Sequence, residues 1–113
     1  MKTKTTVLIL TLAIAGLFFL SFSKYQQTSK KYLLVRTFEF YSGLVDSKIV
    51  ISYEDGKTEE IELQKMRPSN MNENSKKINK VLNDLSEKGY DLHSSSSGGG
   101  DGSVTNMFTF VKR

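Results

Sequence analysis

Apolar side chains recur at helical spacing in the segment 75–92. Four of them stand at i, i+3, i+4 and i+7 and so share one stripe of an α-helix: Ile78, Val81, Leu82 and Leu85. Gly89 follows where a helix can end in the left-handed conformation, and Tyr90 then stands where a C-terminal cap folds back onto Leu85. The pattern predicts a helix that packs on a sheet, with Leu85, Gly89 and Tyr90 in structural roles.

Three segments before the helix are predicted to be strands: 32–41, 48–53 and 57–63. The first is dense in aromatic and β-branched residues, and the other two flank a strong turn signal. The first is apolar on both faces, which is typical of a central strand or of one whose second face is covered. Asp55-Gly56 separates the other two and predicts a hairpin with a type I′ turn, in which Gly56 has a structural role. Acidic side chains concentrate in the third segment (Glu59, Glu60 and Glu62), which indicates an edge strand.

The chain after the helix predicts a second hairpin. A strand begins at Asp91-Leu92 and another covers 104–113, where Phe108 and Phe110 alternate with Thr109 and Val111. The serine- and glycine-rich tract between them, 93–103, is predicted to be flexible at its middle. The element order is therefore β-β-β-α-β-β, an α+β fold of two layers with one helix packed on an antiparallel sheet.

The loop 64–74 leads into the helix and contains the chain's single proline, Pro68. Asn72, Asn74 and Ser75 can each accept a hydrogen bond from the first free N–H groups, so the helix N-cap stays open among these three.

The N-terminal segment has the features of a secretory signal peptide. Lys2 and Lys4 precede an apolar run over 7–20, and Ser21 and Ser23 occupy the −3 and −1 positions of a cleavage site before Lys24. The alternative is an uncleaved membrane anchor over residues 5–22. We expect a signal peptide at 1–23, a polar tether at 24–30 and a small domain at 31–113, placed in the periplasm or secreted, or else held at the membrane by the anchor.

Composition narrows the function classes. The 113-residue chain has no cysteine, which excludes disulfides, thiolate metal sites and a lipid-modified cysteine. Its net charge is +4, but without Lys2 and Lys4 the 16 basic side chains become 14, against 12 acidic ones. So small a surplus does not favour a nucleic-acid partner.

Candidate chemistry is sparse. A functional interpretation combines His93, the sole histidine, with Asp91 and Asp101 in an acid–base or metal site, but the spacing of the three is not that of a ligand cluster. The glycines of 98–102 run into a strand, whereas a phosphate-binding loop opens into a helix. No base is placed beside the serines of 94–97. We assign no catalytic, cofactor-binding or metal-ligating residue.

Aromatic residues of the first and last predicted strands offer a different kind of site. One helix covers only one face of a sheet, so aromatic side chains on the other face would form an exposed patch of the kind that marks an interface. The candidate interface residues are Tyr32, Phe38, Phe40 and Phe110. The alternative is that these side chains point under the helix.

Three segments resemble a small bacterial domain family of unknown function: 31–35 (KYLLV), 82–92 (containing LNDL and GYDL) and 108–113 (FTFVKR). That family has a tyrosine-containing first strand, a leucine-asparagine helix ending in glycine-tryptophan-glutamate-leucine, and an aromatic last strand with a basic tail. Tyr90 and Asp91 replace the tryptophan and glutamate here, and the first hairpin is long. The resemblance covers the two ends of the predicted domain and the helix, and it implies the fold without any activity.

Two functions follow from the sequence as hypotheses. The first is an exported, non-catalytic module that binds a protein partner or self-associates through its sheet, with neither a cofactor nor a nucleic-acid partner. The second is a small exported enzyme or ligand-binding domain that uses the region of Asp91, His93 and Asp101. The absence of a convergent set of titratable groups favours the first.

Overall fold

A computed structural model of the chain describes residues 29–113, and within them five strands form one antiparallel sheet. The elements are β1 (Tyr32–Phe40), β2 (Lys48–Ser52), β3 (Thr58–Glu62), a 3₁₀ turn (Pro68–Asn70), α1 (Met71–Glu87), β4 (Tyr90–Gly100) and β5 (Ser103–Lys112). The strand order in the sheet is β3-β2-β1-β5-β4. The expected α+β class and element order are confirmed.

β1 is the central strand, as its two apolar faces predicted, and it pairs with β2 on one side and β5 on the other. The acidic strand β3 lies at one edge of the sheet, also as predicted, and β4 lies at the other. The core lies between the sheet and α1 and consists of Leu33, Val35, Ile49, Ile51, Leu63, Val81, Leu85, Tyr90 and Phe110. Leu85, the predicted packing residue of the helix, is 2 % exposed.

The first hairpin forms where the sequence predicted it, but its turn is different. The Tyr53 N–H donates to the Lys57 carbonyl at 2.8 Å, and the Gly56 N–H donates to the Tyr53 carbonyl at 3.0 Å, so the loop has three residues. Gly56 has φ +89°, whereas Asp55 does not have a positive φ. A type I′ turn needs positive φ at both central residues, so the predicted type I′ turn is wrong. The three-residue loop instead ends in a glycine in the left-handed conformation.

The helix begins earlier than its apolar stripe indicated. Its N-cap is Asn70, whose side chain makes no capping bond, so none of the three expected cap residues has that role. The helix end agrees with the prediction: Gly89 has φ +94° and donates to the Ser86 carbonyl at 3.1 Å, one of the bonds of a Schellman motif. Tyr90 then enters the core, where it is 8 % exposed.

The serine- and glycine-rich tract is ordered as strand, which corrects the expected flexible loop. β4 continues to Gly100 and pairs with β5 residue by residue, with one irregularity between Leu92 and Ser94. Only Asp101 and Gly102 form the turn, where Gly102 has φ +78°. The backbone N–H and C=O groups of β4 form hydrogen bonds with β5, which holds the tract as a strand even though serine and glycine have low strand propensity.

The predicted signal peptide or anchor, and the first part of the tether, lie outside the described residues. Between residues 29 and 113, no helix combines the length and the apolar character that crossing a membrane requires.

Candidate interaction surface

β1 presents two different sets of side chains to the two sides of the sheet. Leu33, Val35 and Thr37 are 0 % exposed and lie on the side that α1 covers. The alternate residues lie on the opposite side: Tyr32, Leu34, Arg36, Phe38 and Phe40. No helix or strand of residues 29–113 covers that side, which we call the open face.

The neighbouring strands extend the open face in cross-strand rows. Arg36 lies between Val50 of β2 and Met107 of β5, and Phe38 lies opposite Thr105. Directly paired residues of antiparallel strands point to the same side, with Cβ atoms about 5 Å apart. The open face therefore has a partly buried apolar surface formed by Leu34, Phe38, Phe40, Val50 and Met107.

Three of the four predicted interface residues share this face. Phe38 and Phe40 are partly buried, and Phe40 is the last residue of β1. Tyr32, the first residue of β1, is 46 % exposed, and its ring lies 5.7 Å from that of His93. Phe110 does not belong with them. It pairs with Leu33, points towards α1 and is 3 % exposed, so it is a core residue and is removed from the candidate interface.

Arg36 and Met107 belong to the open face although the sequence interpretation did not select them. Arg36 alternates with Phe38 along β1, so strand periodicity was a sufficient signal for it. Met107 carried no such signal, because its position opposite Arg36 depends on the register between two strands that are far apart in sequence.

The two basic side chains of the open face, Lys48 and Arg36, differ in whether they form an ion pair. Lys48 forms an ion pair with Glu60 at 3.1 Å on the side of the face nearest the β3 edge. Arg36 is exposed, and within residues 29–113 its guanidinium takes part in no ion pair or side-chain hydrogen bond. The middle of the face therefore carries an uncompensated positive charge next to apolar side chains.

A shallow cavity of about 330 Å³ lies beside Arg36 on the open face. Its lining consists of Arg36, Phe38, Ser96, Ser97, Gly98, Thr105 and Met107. The cavity spans β1, β5 and β4, and the small residues of β4 leave its outer side open.

Asp91, His93 and Asp101 do not form one site. Asp91 is bound by Arg113 at 2.6 Å, and the Arg113 guanidinium also donates to the Ser86 carbonyl at the end of α1. His93 lies against Tyr32, whereas Asp101 occupies the turn at the far end of β4, on the order of 30 Å from Asp91 at the rise of an extended strand. Across residues 29–113, no group of three His, Asp or Glu side chains is arranged to hold a metal ion.

A hydrogen bond between Tyr90 and Glu54 joins the end of the helix to the first hairpin. The Tyr90 hydroxyl donates to Oε1 of Glu54 at 2.7 Å, and the Lys112 ammonium lies 5.5 Å from the centre of the Tyr90 ring. The bond raises the pKa of Tyr90 to about 12, with burial and the charge of Glu54 adding to the effect. It lowers the pKa of Glu54, because the hydroxyl stabilises the carboxylate. These groups support the fold and lie away from the cavity.

Asn74 joins the start of the helix to the loop and to β1. Its side chain is 1 % exposed: Nδ2 donates to the Gln64 carbonyl at 2.8 Å and to Oε1 of Glu39 at 3.1 Å, and Oδ1 accepts from the Gln64 N–H at 2.9 Å. Asn74 thus ties the first turn of α1 to the loop before it and to the side of β1 that the helix covers.

Comparisons with models of known protein families, with curated proteins and with solved structures found no match to this chain. The resemblance to a bacterial domain family therefore stays a hypothesis.

Proposed function

We propose that this chain is an exported, non-catalytic binding module whose open face contacts a protein partner or a second copy of the chain. The observation that carries the proposal is the composition of the central strand. Leu34, Phe38 and Phe40 point away from the helix, into a face that no element of residues 29–113 covers. Aromatic and aliphatic side chains surrounded by polar residues are characteristic of interface centres.

The distribution of charge supports the same surface. The β3 edge of the sheet carries Glu59, Glu60 and Glu62, which oppose pairing with another acidic edge. The middle of the open face is apolar and carries Arg36, which forms no ion pair within residues 29–113. A partner that covers this face would remove apolar area from water at about 25 cal/mol per Å².

The second hypothesis, an enzyme or ligand-binding domain that uses Asp91, His93 and Asp101, receives no support from the geometry. Asp91 is held by Arg113, and Asp101 lies at the opposite end of β4. We propose no enzymatic reaction for this chain.

Light scattering on the exported protein, as its host processes it, tests the proposal. We expect association at high concentration, or a complex with a partner co-purified from the envelope. Replacing Phe38 and Phe40 together by Ser should weaken that association at least tenfold and leave the melting temperature nearly unchanged. Leu44→Ser is the matched control, because Leu44 is 95 % exposed and lies in the β1–β2 connection, outside the strands that form the open face.

Two results would contradict the proposal. One is a wild-type protein that stays monomeric at high concentration and retains no envelope protein. The other is an association that Leu44→Ser weakens as much as the double replacement does.

A further inference from the structure

We propose that the cavity beside Arg36 binds a small carboxylate that carries an apolar group. Six side-chain positions in two cross-strand rows form the cavity: Arg36, Met107 and Ser96 in one row, and Phe38, Thr105 and Gly98 in the next. The rows are about 7 Å apart along the strands. One polar corner, at Arg36, therefore faces an apolar wall formed by Phe38 and Met107.

The cavity exists because β4 has small residues where it borders this face. Gly98 pairs with Thr105 and has no side chain to place next to Phe38. A Cβ atom added at Gly98 would meet no other atom within 4 Å, so the space above it is empty. The backbone of Gly98 does not have a positive φ, so a larger residue there would fill the cavity without backbone strain.

The chemistry of the lining selects the ligand. A guanidinium presents a planar fork of donors that matches a carboxylate in two parallel hydrogen bonds. The hydroxyl groups of Thr105 and Ser96 provide further donors, while Phe38 and Met107 provide the apolar contact. A volume of about 330 Å³ is at the lower end of the range of about 300–1,000 Å³ found for small-molecule sites, so the ligand is small.

The carboxylates of the domain itself do not satisfy Arg36. On the open face the nearest acidic strand is β3, where Glu60 lies two strands from Arg36, about 10 Å away, and is already paired with Lys48. A single guanidinium balances one negative charge, and the apolar side chains of Phe38 and Met107 favour an anion that carries an apolar group over inorganic phosphate.

This inference rests on the proposed function only in placing binding on the open face, and the two are tested separately. Isotope-labelled protein is titrated with sodium hexanoate and followed by NMR. We expect saturable shifts at the amides of Gly98, Thr105 and Met107. Hexan-1-ol, which lacks the charge, and inorganic phosphate, which lacks the apolar group, should each bind at least tenfold more weakly.

Two variants locate the site. Arg36→Gln should weaken hexanoate binding about tenfold or more, because hydrogen bonds to a charged group are lost. Gly98→Val should weaken the binding because its side chain takes up part of the cavity next to Phe38, and it keeps the test valid if Arg36→Gln folds poorly. Lys48→Gln is the matched control, since it removes a positive charge from the same face outside the cavity, and it should bind hexanoate as the wild type does.

Absence of saturable hexanoate binding to the wild type would overturn the inference, as would equal binding of phosphate or full binding by Gly98→Val. If hexanoate fails to bind while the replacement of Phe38 and Phe40 still abolishes association, the ligand site falls and the protein interface stands. If hexanoate binds and the protein never associates, the protein interface falls and the ligand site stands.

Discussion

Replacing Asn74 by Ala should destabilise the domain by about 2–4 kcal/mol. The side chain is 1 % exposed and makes two hydrogen bonds to the backbone of Gln64 and one to the carboxylate of Glu39. A neutral hydrogen bond contributes about 1 kcal/mol, a bond to a charged group about 1.5–3 kcal/mol, and a buried group left unpaired costs about 1–3 kcal/mol. The expected value lies below the simple sum because water can reach Gln64 and Glu39 once the side chain is gone.

Urea denaturation measures this loss as a shift of the midpoint at constant slope. Asn72→Ala is the control, because Asn72 lies in the same first turn of α1 but is exposed, so its replacement should change stability by less than about 0.5 kcal/mol. A loss below about 0.5 kcal/mol for Asn74→Ala as well would refute the role assigned to these bonds.

Asn74→Asp separates the effect of charge from the loss of the bonds. The new carboxylate keeps the acceptor for the Gln64 N–H but faces the carboxylate of Glu39, so the folded state should raise its pKa. The ionised aspartate then destabilises the folded domain at pH values above the ordinary pKa of a carboxyl group. This destabilisation should decrease as the pH falls through the raised pKa of the new aspartate. Asn74→Ala should show no such recovery.

Three further predictions concern other parts of the chain. Gly89→Val should destabilise the domain by at least about 1–2 kcal/mol in urea denaturation, because Gly89 has φ +94°. An added Cβ at Gly89 meets nothing within 4 Å, so this loss comes from backbone strain alone, and Gly98→Ala, at an open position without positive φ, should be close to neutral in the same assay. Tyr90→Phe should raise the lowered pKa of Glu54 towards its ordinary value in a carboxyl NMR titration, because the largest cause of the lowering is removed. The stability that the Tyr90–Glu54 bond gives is present above the ordinary pKa of Glu54 and is lost as the pH falls through the lowered pKa of Glu54. At alkaline pH the same stability is lost as the pH rises through the Tyr90 pKa of about 12. An unchanged Glu54 titration in the variant would contradict the assignment. Intact-mass measurement of the envelope protein should show Lys24 as the first residue, whereas full-length protein extractable only with detergent would favour the anchor.

Elements with a strong local pattern could be predicted from the sequence. The apolar stripe and Gly89 located most of α1, and Asp55-Gly56 located the first hairpin. Strand β4 could not be predicted beyond its start, because serine and glycine do not favour a strand and its order comes from pairing with β5. Asn74 was recognised as a hydrogen-bonding residue at the helix start, but its partners at Gln64 and Glu39 are visible only in the folded chain.

The candidate interaction surface could likewise be predicted only in part from the sequence. Alternation along β1 was enough to put Tyr32, Phe38 and Phe40 on one side of the sheet. Which side α1 covers depends on the packing of the whole domain, and the same uncertainty led to the incorrect grouping of Phe110. The cavity beside Arg36 depends on the register of three strands, which no short-range pattern in the sequence specifies.

Site-specific photo-crosslinking in intact cells tests the central claim, that the open face is the binding surface. A benzophenone amino acid replaces Phe38 in one variant and Lys80, which is exposed on α1, in the other. We expect the position of Phe38 to give a defined product that mass spectrometry identifies as this chain joined to one partner or to a second copy, and the position of Lys80 to give none. Equal yields at the two positions, or no product from the position of Phe38, would contradict the account.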